Sequence, residues 1–196
     1  MPRAGLTADR VVAEAADLAD RSGLDSLTLA ALADRLGIRV PSLYKHVDGL
    51  GGVQRELAVL GVRGLIDAVS AATVGRSGPD ALRECCRAVR GYAHRHPGRY
   101  AAIQRAPDRA DPAEREFAEL GDRLVGLLLD VLRGYDLTGD DCIHAARTLR
   151  SAVHGFVAIE RLGGFGLPAD VDASFEVVLD MLDAGLRSLA AGGDPR

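Results

Sequence analysis

Residues 28–47, TLAALADRLGIRVPSLYKHV, decide the fold of the N-terminal part of the chain. Four apolar residues recur there at helical spacing and predict a short amphipathic helix: Leu29, Leu32, Ala33 and Leu36. Ser26 or Thr28 can cap this helix, and Gly37 follows where a helix end favours positive φ. A second short helix is predicted next, with Pro41 in its first turn, where the missing N–H costs nothing. Two short helices joined by so tight a turn are typical of a helix-turn-helix.

The outer face of the second helix carries side chains that suit contact with DNA. At about 100° per residue, three apolar side chains share the side predicted to pack on the first helix: Val40, Leu43 and Val47. The other side presents small or polar groups with a donor on each flank: Pro41, Ser42 and Lys45, with Tyr44 and His46 beside them. A helix in the major groove needs such groups toward base edges and donors toward phosphates. The alternative is a helical hairpin with a merely solvated face, but an exposed Tyr-Lys-His run favours DNA binding.

The composition predicts an all-α protein without a membrane span. The chain has 196 residues, 47% of them hydrophobic, with no Trp and only four Phe and four Tyr. The longest apolar stretch, 124–129, is far shorter than a bilayer requires. The N-terminal sequence MPRAGLTADR lacks the apolar region of a signal peptide, so we expect a cytoplasmic location.

The charge balance argues against broad attraction to nucleic acid. The net charge is −4, and the first 50 residues hold six basic and seven acidic side chains. Positive charge is concentrated between Arg39 and Leu50, where Lys45 is the only lysine of the chain. We therefore expect modest non-specific affinity and a strong need for dimerisation. A helical ligand-binding or scaffolding module that has lost DNA binding stays open as an alternative.

Signatures of catalysis, metals and cofactors are missing from the sequence. There is no GxSxG elbow, P-loop, HExxH or paired-carboxylate pattern, so we expect neither an enzyme nor a cofactor. The five histidines lack metal-ligand spacing. Cys85, Cys86 and Cys142 are too few for a disulfide framework and are interpreted as small buried hydrophobes.

The helix caps and the glycine and proline breaks along the chain predict two domains. One is a three-helix DNA-binding domain over 1–49, and the other is a helical ligand-binding and dimerisation domain over 50–196. Thr7 and Gly23 should delimit the first helix. Further helices are expected over these approximate ranges: 50–72, 81–95, 100–104, 112–133, 139–162 and 172–189. The fourth of them is opened in the sequence by Asp111-Pro-Ala-Glu114, the pattern of a capping box with Pro at its first helical position.

Two long helices near the C-terminus are candidates for dimerisation. The ranges 138–162 and 172–189 are strongly apolar on one side. They could bury that side within one chain or pair with a second copy in a four-helix bundle. One helix-turn-helix reads few bases, and a homodimer reads two half-sites, so we favour pairing through these helices.

The C-terminal helices are also expected to enclose a pocket for a small-molecule ligand. Its candidate wall consists of aromatic, basic and histidine side chains: Tyr92, His96, Tyr100, Phe117, Arg147, Arg150, His154 and Phe156. Arg147, Arg150 and His154 share a helix face and could hold an anionic or carbonyl-bearing ligand. We favour the alternative, in which the arginines pair on the surface with acids such as Glu119, Asp122 or Asp183, because charges are rarely buried unpaired.

The helix-turn-helix segment and the helix before it, LTADRVVAEAADLADRSG, resemble the TetR family, with a specific match over about 6–60. Residues 41–47, PSLYKHV, look most like the tetracycline-repressor branch. The later stretch HGFVAIERLGGFGLP is similar to ligand-binding domains of one actinobacterial-type subgroup. Arg39 and Val47 depart from the family pattern, where Ser or Thr and Phe are common.

This resemblance implies nine or ten helices, a homodimer, a palindromic operator and repression as the default. A small molecule in the C-terminal domain would change the spacing of the two recognition helices. By the same resemblance, phosphate contacts would fall to Thr28, Tyr44 and His46. Bases or neighbouring backbone would be contacted by Arg39, Pro41, Ser42 and Lys45. No membrane or catalytic role is implied.

Overall fold

The computed structural model describes residues 6–192, and over that range the protein is all-α, as predicted. Nine α-helices follow one another along the described chain: α1 Ala8–Ser22, α2 Leu29–Leu36, α3 Val40–Leu43, α4 Gly49–Thr73, α5 Gly78–Arg95, α6 Pro97–Ala102, α7 Arg115–Leu132, α8 Gly139–Arg161 and α9 Val171–Gly192. Short 3₁₀ turns lie at Leu24–Ser26, Pro112–Glu114 and Arg133–Tyr135.

The predicted caps of the first two helices are confirmed. The Thr7 hydroxyl accepts the N–H of Arg10 at 3.3 Å, and Gly23 ends α1 with φ at 85°. Of the two candidates for α2, Thr28 is the cap, since its hydroxyl accepts the N–H of Ala31 at 3.1 Å. Gly37 ends α2 in the left-handed region with φ at 66°, which turns the chain toward α3.

The second helix of the motif is shorter than the sequence predicts. The spacing of Val40, Leu43 and Val47 predicts a helix that reaches Val47, but α3 ends at Leu43 and the chain continues as turns. The Leu43 carbonyl accepts the N–H of His46 at 2.8 Å and that of Val47 at 3.0 Å. The His46 bond is an i→i+3 bond, so the last turn tightens rather than extending the α-helix.

Contacts divide the chain into two compact units. One comprises residues up to Gly64 together with Arg95–Gly121, and the other comprises Leu65–His94 with the residues from Asp122 onward. Helices α4 and α7 each contribute to both units. The functional boundary at residue 49 stays a prediction.

The first unit includes α6, although α6 lies far from α1 in sequence. Asp20 of α1 accepts the N–H groups of Gly98 and Arg99 at 2.9 and 3.0 Å, so it caps α6 from another helix. Gly98 lies so close to Ala19 that a Cβ there would be 2.2 Å from the Ala19 carbonyl carbon. Large side chains complete this core: Val11, Leu32, Leu43, Val53 and Leu57.

The second unit combines an apolar core with ion pairs along α5 and α9. Its largest fully buried side chains are Leu82, Leu132, Val157, Phe175 and Leu179. Arg83 bonds to Asp180 at 2.6 Å and Arg87 to Glu176 at 2.6 and 3.0 Å. Successive basic residues of α5 therefore meet successive acidic residues of α9.

Several helix starts differ from the sequence-based predictions. Pro97 opens α6, which covers Pro97–Ala102 instead of 100–104, because Pro suits a first helical turn. Asp111 caps only the 3₁₀ turn, through the N–H of Ala113 at 2.9 Å. Glu114 does not complete the capping box, since its carboxylate bonds to Arg105 at 2.5 and 2.7 Å. The α-helix accordingly begins at Arg115.

Candidate nucleic-acid interface and ligand-binding region

The residues predicted to contact DNA lie at the surface of the first unit. Five of them are exposed: Thr28, Arg39, Pro41, Tyr44 and Lys45. Ser42 and His46 are half-buried, and Leu43 between them is fully buried. Tyr44 is 61% exposed, although aromatic residues are on average well buried. The structure thus presents the predicted donors to solvent, while their roles stay a prediction.

Ion pairs hold the motif against its neighbours without using Arg39 or Lys45. Arg35 of α2 donates two hydrogen bonds to Glu14 of α1, at 3.0 and 3.2 Å. Arg55 of α4 lies 3.8 Å from Asp48, just after the motif. Within residues 6–192, neither Arg39 nor Lys45 makes an ion pair. Both charges are therefore available to a phosphate or a base edge.

The predicted ligand wall is divided between the two units. His96, Tyr100 and Phe117 belong to the first unit, with the Arg105 guanidinium 4.7 Å above the Phe117 ring. The other five belong to the second unit: Tyr92, Arg147, Arg150, His154 and Phe156. Tyr92, Tyr100 and Phe117 are buried, as a pocket wall or a plain core would require.

The expected surface ion pairs of Arg147 and Arg150 are wrong. Both side chains are exposed, and in the described part of the chain neither has an acidic partner. Asp183, one of the expected partners, instead accepts the Tyr135 hydroxyl at 2.7 Å and Arg187 at 3.0 Å. Asp183 of α9 therefore faces the 3₁₀ turn that contains Tyr135 and does not pair with Arg147 or Arg150.

A cleft that the sequence analysis missed lies between α5, α8 and the start of α9. It measures about 430 Å³ and has six lining residues: Arg87, Arg90, Gly91, His94, Glu160 and Asp172. The signal that could have found it is the basic stripe of α5 at i, i+4, i+7 and i+11: Arg83, Arg87, Arg90 and His94.

Glu160 is hydrogen-bonded to two other residues that line the cleft. It accepts two hydrogen bonds from Arg90, that from Nε at 2.9 Å, and one from His94 Nε2 at 2.8 Å. The bonds from Arg90 hold the pKa of the Glu160 carboxyl below its usual range, against the opposing effect of burial. The same pair raises the pKa of Arg90. Glu160 and Arg90 are thus charged together at neutral pH.

The cysteines of α5 are packing residues. Cys85 and Cys86 are buried, and burial raises the pKa of Cys85 to about 11 and raises that of Cys86 as well. Such thiols stay protonated and unreactive at neutral pH, in agreement with the sequence-based interpretation. Cys142 is half-buried. In the part of the chain that the structure describes, no helix is long and apolar enough to cross a membrane, and no three potential ligands converge on a metal site.

Comparison with protein families finds a match to the second half of the chain. Residues 82–182 match the family model described as tetracyclin repressor-like, C-terminal domain. The chain is 37% identical over 190 residues to an uncharacterised HTH-type transcriptional regulator of Mycobacterium tuberculosis, covering 97% of this chain and 86% of that protein. It is 32% identical to the uncharacterised HTH-type transcriptional regulator YobS of Bacillus subtilis, covering 97% and 94%.

Solved structures show the same architecture. The crystal structure of apo ActR from Streptomyces coelicolor superposes with a TM-score of 0.67 at 25% identity, covering 96% of this chain and 98% of that one. A Rhodococcus protein of unknown function gives a TM-score of 0.75 at 21% identity, covering 95% and 99%. The second likeness concerns the fold alone.

Proposed function

The chain belongs to the TetR family of transcriptional regulators, and we propose that it is a repressor that binds a palindromic operator as a homodimer and is released by a small molecule. DNA binding and regulation are the functions of the family that its relatives' names state. Repression, the palindrome and release are our extension to this chain.

The observation that carries the proposal is the free donor set of the recognition segment, which we define as residues 39–46. Tyr44 extends into solvent directly after buried Leu43, and neither Arg39 nor Lys45 has an ion-pair partner among residues 6–192. A buried anchor with polar groups on its outer side is what docking in a major groove requires. The acidic remainder of the first unit limits non-specific attraction, so affinity must come from this segment.

A homodimer through α8 and α9 is supported by apolar side chains left in solvent. Each helix buries one side within its unit, α8 through Val153 and Val157 and α9 through Phe175 and Leu179. Large apolar side chains nevertheless stay exposed on the same two helices: Ile143, Ile159, Val177 and Met181. Exposed apolar surface on paired helices marks an interface, and a second copy is the partner the family uses.

Release by a ligand requires different affinities for the two states of the protein. Helix α4 begins immediately after the recognition segment's turn and contributes to both units, so we propose it as the lever. Of the residues predicted to form the ligand wall, Tyr92, Tyr100 and Phe117 are buried, Tyr92 in the second unit and the other two in the first. Exposed Arg147 and Arg150 are unsuited to a buried wall. If a saturating effector left operator affinity unchanged, release would be disproved.

The rival function is a helical ligand-binding or scaffolding module without DNA binding, favoured by the acidic first 50 residues. An enzyme has no supporting observation. A repressor acts on the chromosome, so we place the protein in the cytoplasm.

Selection of random double-stranded DNA by the purified protein tests the proposal. We expect enrichment of a palindrome by the wild type and none by the Tyr44→Ala/Lys45→Ala variant. Arg123→Ala is the control, because Arg123 is an exposed arginine of α7 outside the motif. A folded, dimeric wild type that enriches no sequence, with or without cell extract as a source of effector, would favour the scaffolding module.

A further inference from the structure

The cleft of the second unit has the size of a small-molecule site. Its volume of about 430 Å³ lies within the range of about 300–1,000 Å³ that such sites occupy. Three of its side chains can donate hydrogen bonds: Arg87, Arg90 and His94. Two can accept them: Glu160 and Asp172. The chemistry of a ligand therefore depends on which of these groups still has bonding capacity.

Arg90 has an unfilled hydrogen-bonding edge. Its Nε and Nη2 atoms face Glu160, and Nη2 also donates to Asp172 at 2.6 Å. Among the described residues, none accepts a hydrogen bond from Nη1 of Arg90. The edge formed by Nη1 and Nη2 can hold a carboxylate by two parallel bonds, and Asp172 occupies only half of it.

Asp172 is easily displaced, whereas Glu160 is not. The Asp172 side chain is 83% exposed, while that of Glu160 is 14% exposed and accepts three hydrogen bonds. An exposed ion pair with a single contact contributes little to stability. An incoming carboxylate can therefore replace Asp172 without changing the charge at Arg90 or disturbing Glu160.

Apolar groups stand next to this polar edge. The Arg90 guanidinium lies 4.8 Å from the Phe175 ring centroid and 5.7 Å from that of Phe156. Phe156 in turn contacts partly exposed Phe165, with ring centroids 4.8 Å apart. None of the three rings lines the cleft and Phe175 is buried, so partly exposed Phe165 offers the aromatic surface that an apolar body attached to the ligand's anionic end could contact.

Gly91 keeps the cleft open from the α5 side. It lies in the interior of α5, where glycine is less favourable than alanine. No atom lies within 4 Å of the position a Cβ would take, so close packing does not require glycine here. A larger side chain at this position would point into the cleft that Gly91 lines.

We infer that this cleft binds an amphipathic organic monoanion whose carboxylate takes the place of Asp172 on Arg90. The inference deepens the proposed ligand response by naming the ligand class and a site. Because Asp172 lies in the first turn of α9, the exchange would free the start of a proposed dimer helix.

Calorimetric titration of the full chain with octanoate, in the absence of DNA, tests the inference. Octanamide is the neutral control, and we expect it to bind at least about tenfold more weakly, because it lacks the charge-assisted bonds to Arg90. Asp172→Asn should tighten octanoate binding by roughly two- to fivefold, since it weakens the internal competitor.

Two further variants sharpen the test. Asp180→Asn is the matched control, because Asp180 is also exposed and bonds to Arg83 at 2.6 Å, yet does not line the cleft; it should leave octanoate affinity unchanged. Gly91→Leu should abolish octanoate binding while thermal unfolding shows an intact fold. Equal affinity for octanoate and octanamide, no saturable octanoate binding, weaker binding by Asp172→Asn, or unaltered binding by Gly91→Leu would each overturn the inference. Since no DNA is present, these outcomes leave the DNA-binding proposal untouched.

Discussion

Tyr44 and Tyr135 show how the surroundings of one residue type determine its role. Tyr44 follows the buried anchor Leu43 and extends into solvent, where its hydroxyl has no partner within the described chain. Tyr135 is buried and donates to Asp183 at 2.7 Å, and burial first, then this bond, raises its pKa. One hydroxyl is therefore available for recognition and the other stabilises the fold.

Removing the two hydroxyls should separate these roles. We expect Tyr44→Phe to leave the free energy of unfolding unchanged and to weaken binding to all DNA sequences by about 1 kcal/mol, as loss of a phosphate contact does. Tyr135→Phe should lower the free energy of unfolding by about 1–2 kcal/mol without changing operator affinity. Urea unfolding and fluorescence anisotropy measure the two quantities. A reversed pattern would show that Tyr44 is structural.

Glu114 should contribute to stability in a pH-dependent way. Its hydrogen bonds from Arg105 lower the pKa of its carboxyl despite burial. A carboxyl whose pKa is lower in the folded state stabilises it above the unfolded pKa of about 4.3, and this contribution disappears as pH falls through the folded value. Glu114→Gln should therefore destabilise the protein by about 1.5–3 kcal/mol at neutral pH and by less in acid.

Urea unfolding between neutral and acidic pH measures this difference. Glu119→Gln is the control, because Glu119 is exposed on α7, the helix that follows Glu114, and it should change stability little at any pH. A Glu114→Gln curve that stays parallel to the wild-type curve at all pH values would contradict the account.

Helix ends that are set by neighbouring residues could be predicted from the sequence, whereas a helix cap supplied by a distant residue could not. Thr7, Gly23 and Gly37 act on backbone groups within a few residues, so their sequence positions suffice to predict helix ends. The cap of α6 comes from Asp20, 78 residues before the Gly98 N–H that it accepts. No local pattern contains that information.

The approach of α6 to α1 makes Gly98 irreplaceable. Gly98→Ala should destabilise the protein by about 2–3 kcal/mol, because its Cβ would overlap the backbone of Ala19, which cannot move aside. Gly91→Ala is the matched control within a helix, and with open space around its Cβ it should stabilise by about 0.4–1 kcal/mol. Thermal unfolding of both variants measures these changes in stability. Equal effects would refute the close packing of α1 and α6.

For the molecule as a whole, the two candidate sites were predictable to different degrees. The residues predicted to contact DNA fall within 28–46; helix periodicity assigned the outer side of residues 41–46, and the family resemblance added Thr28 and Arg39. The ligand wall was chosen from residues that the fold divides between two units, so sequence spacing could not tell which of them meet. The cleft at Arg90 combines α5, α8 and α9 and needed tertiary structure to be recognised.

If the protein dimerises through α9, substitutions of two exposed valines should affect its oligomeric state differently. Val177→Arg, at the exposed face of α9, should convert the homodimer to monomers, because it places a charge in an apolar interface. Val74→Arg is the matched control, since Val74 is exposed in the turn after α4. Sedimentation equilibrium gives the mass of each. A dimeric Val177→Arg variant would exclude this face.

The equilibrium affinity for the selected palindrome, relative to a shuffled duplex at the same salt concentration, tests the central claim most directly. We predict that the wild type prefers the palindrome by at least about 10³-fold, with one dimer per site, and that Tyr44→Ala/Lys45→Ala removes most of this preference. Equal affinity for the two duplexes, or an undiminished preference in the double variant, would contradict recognition of DNA by residues 39–46.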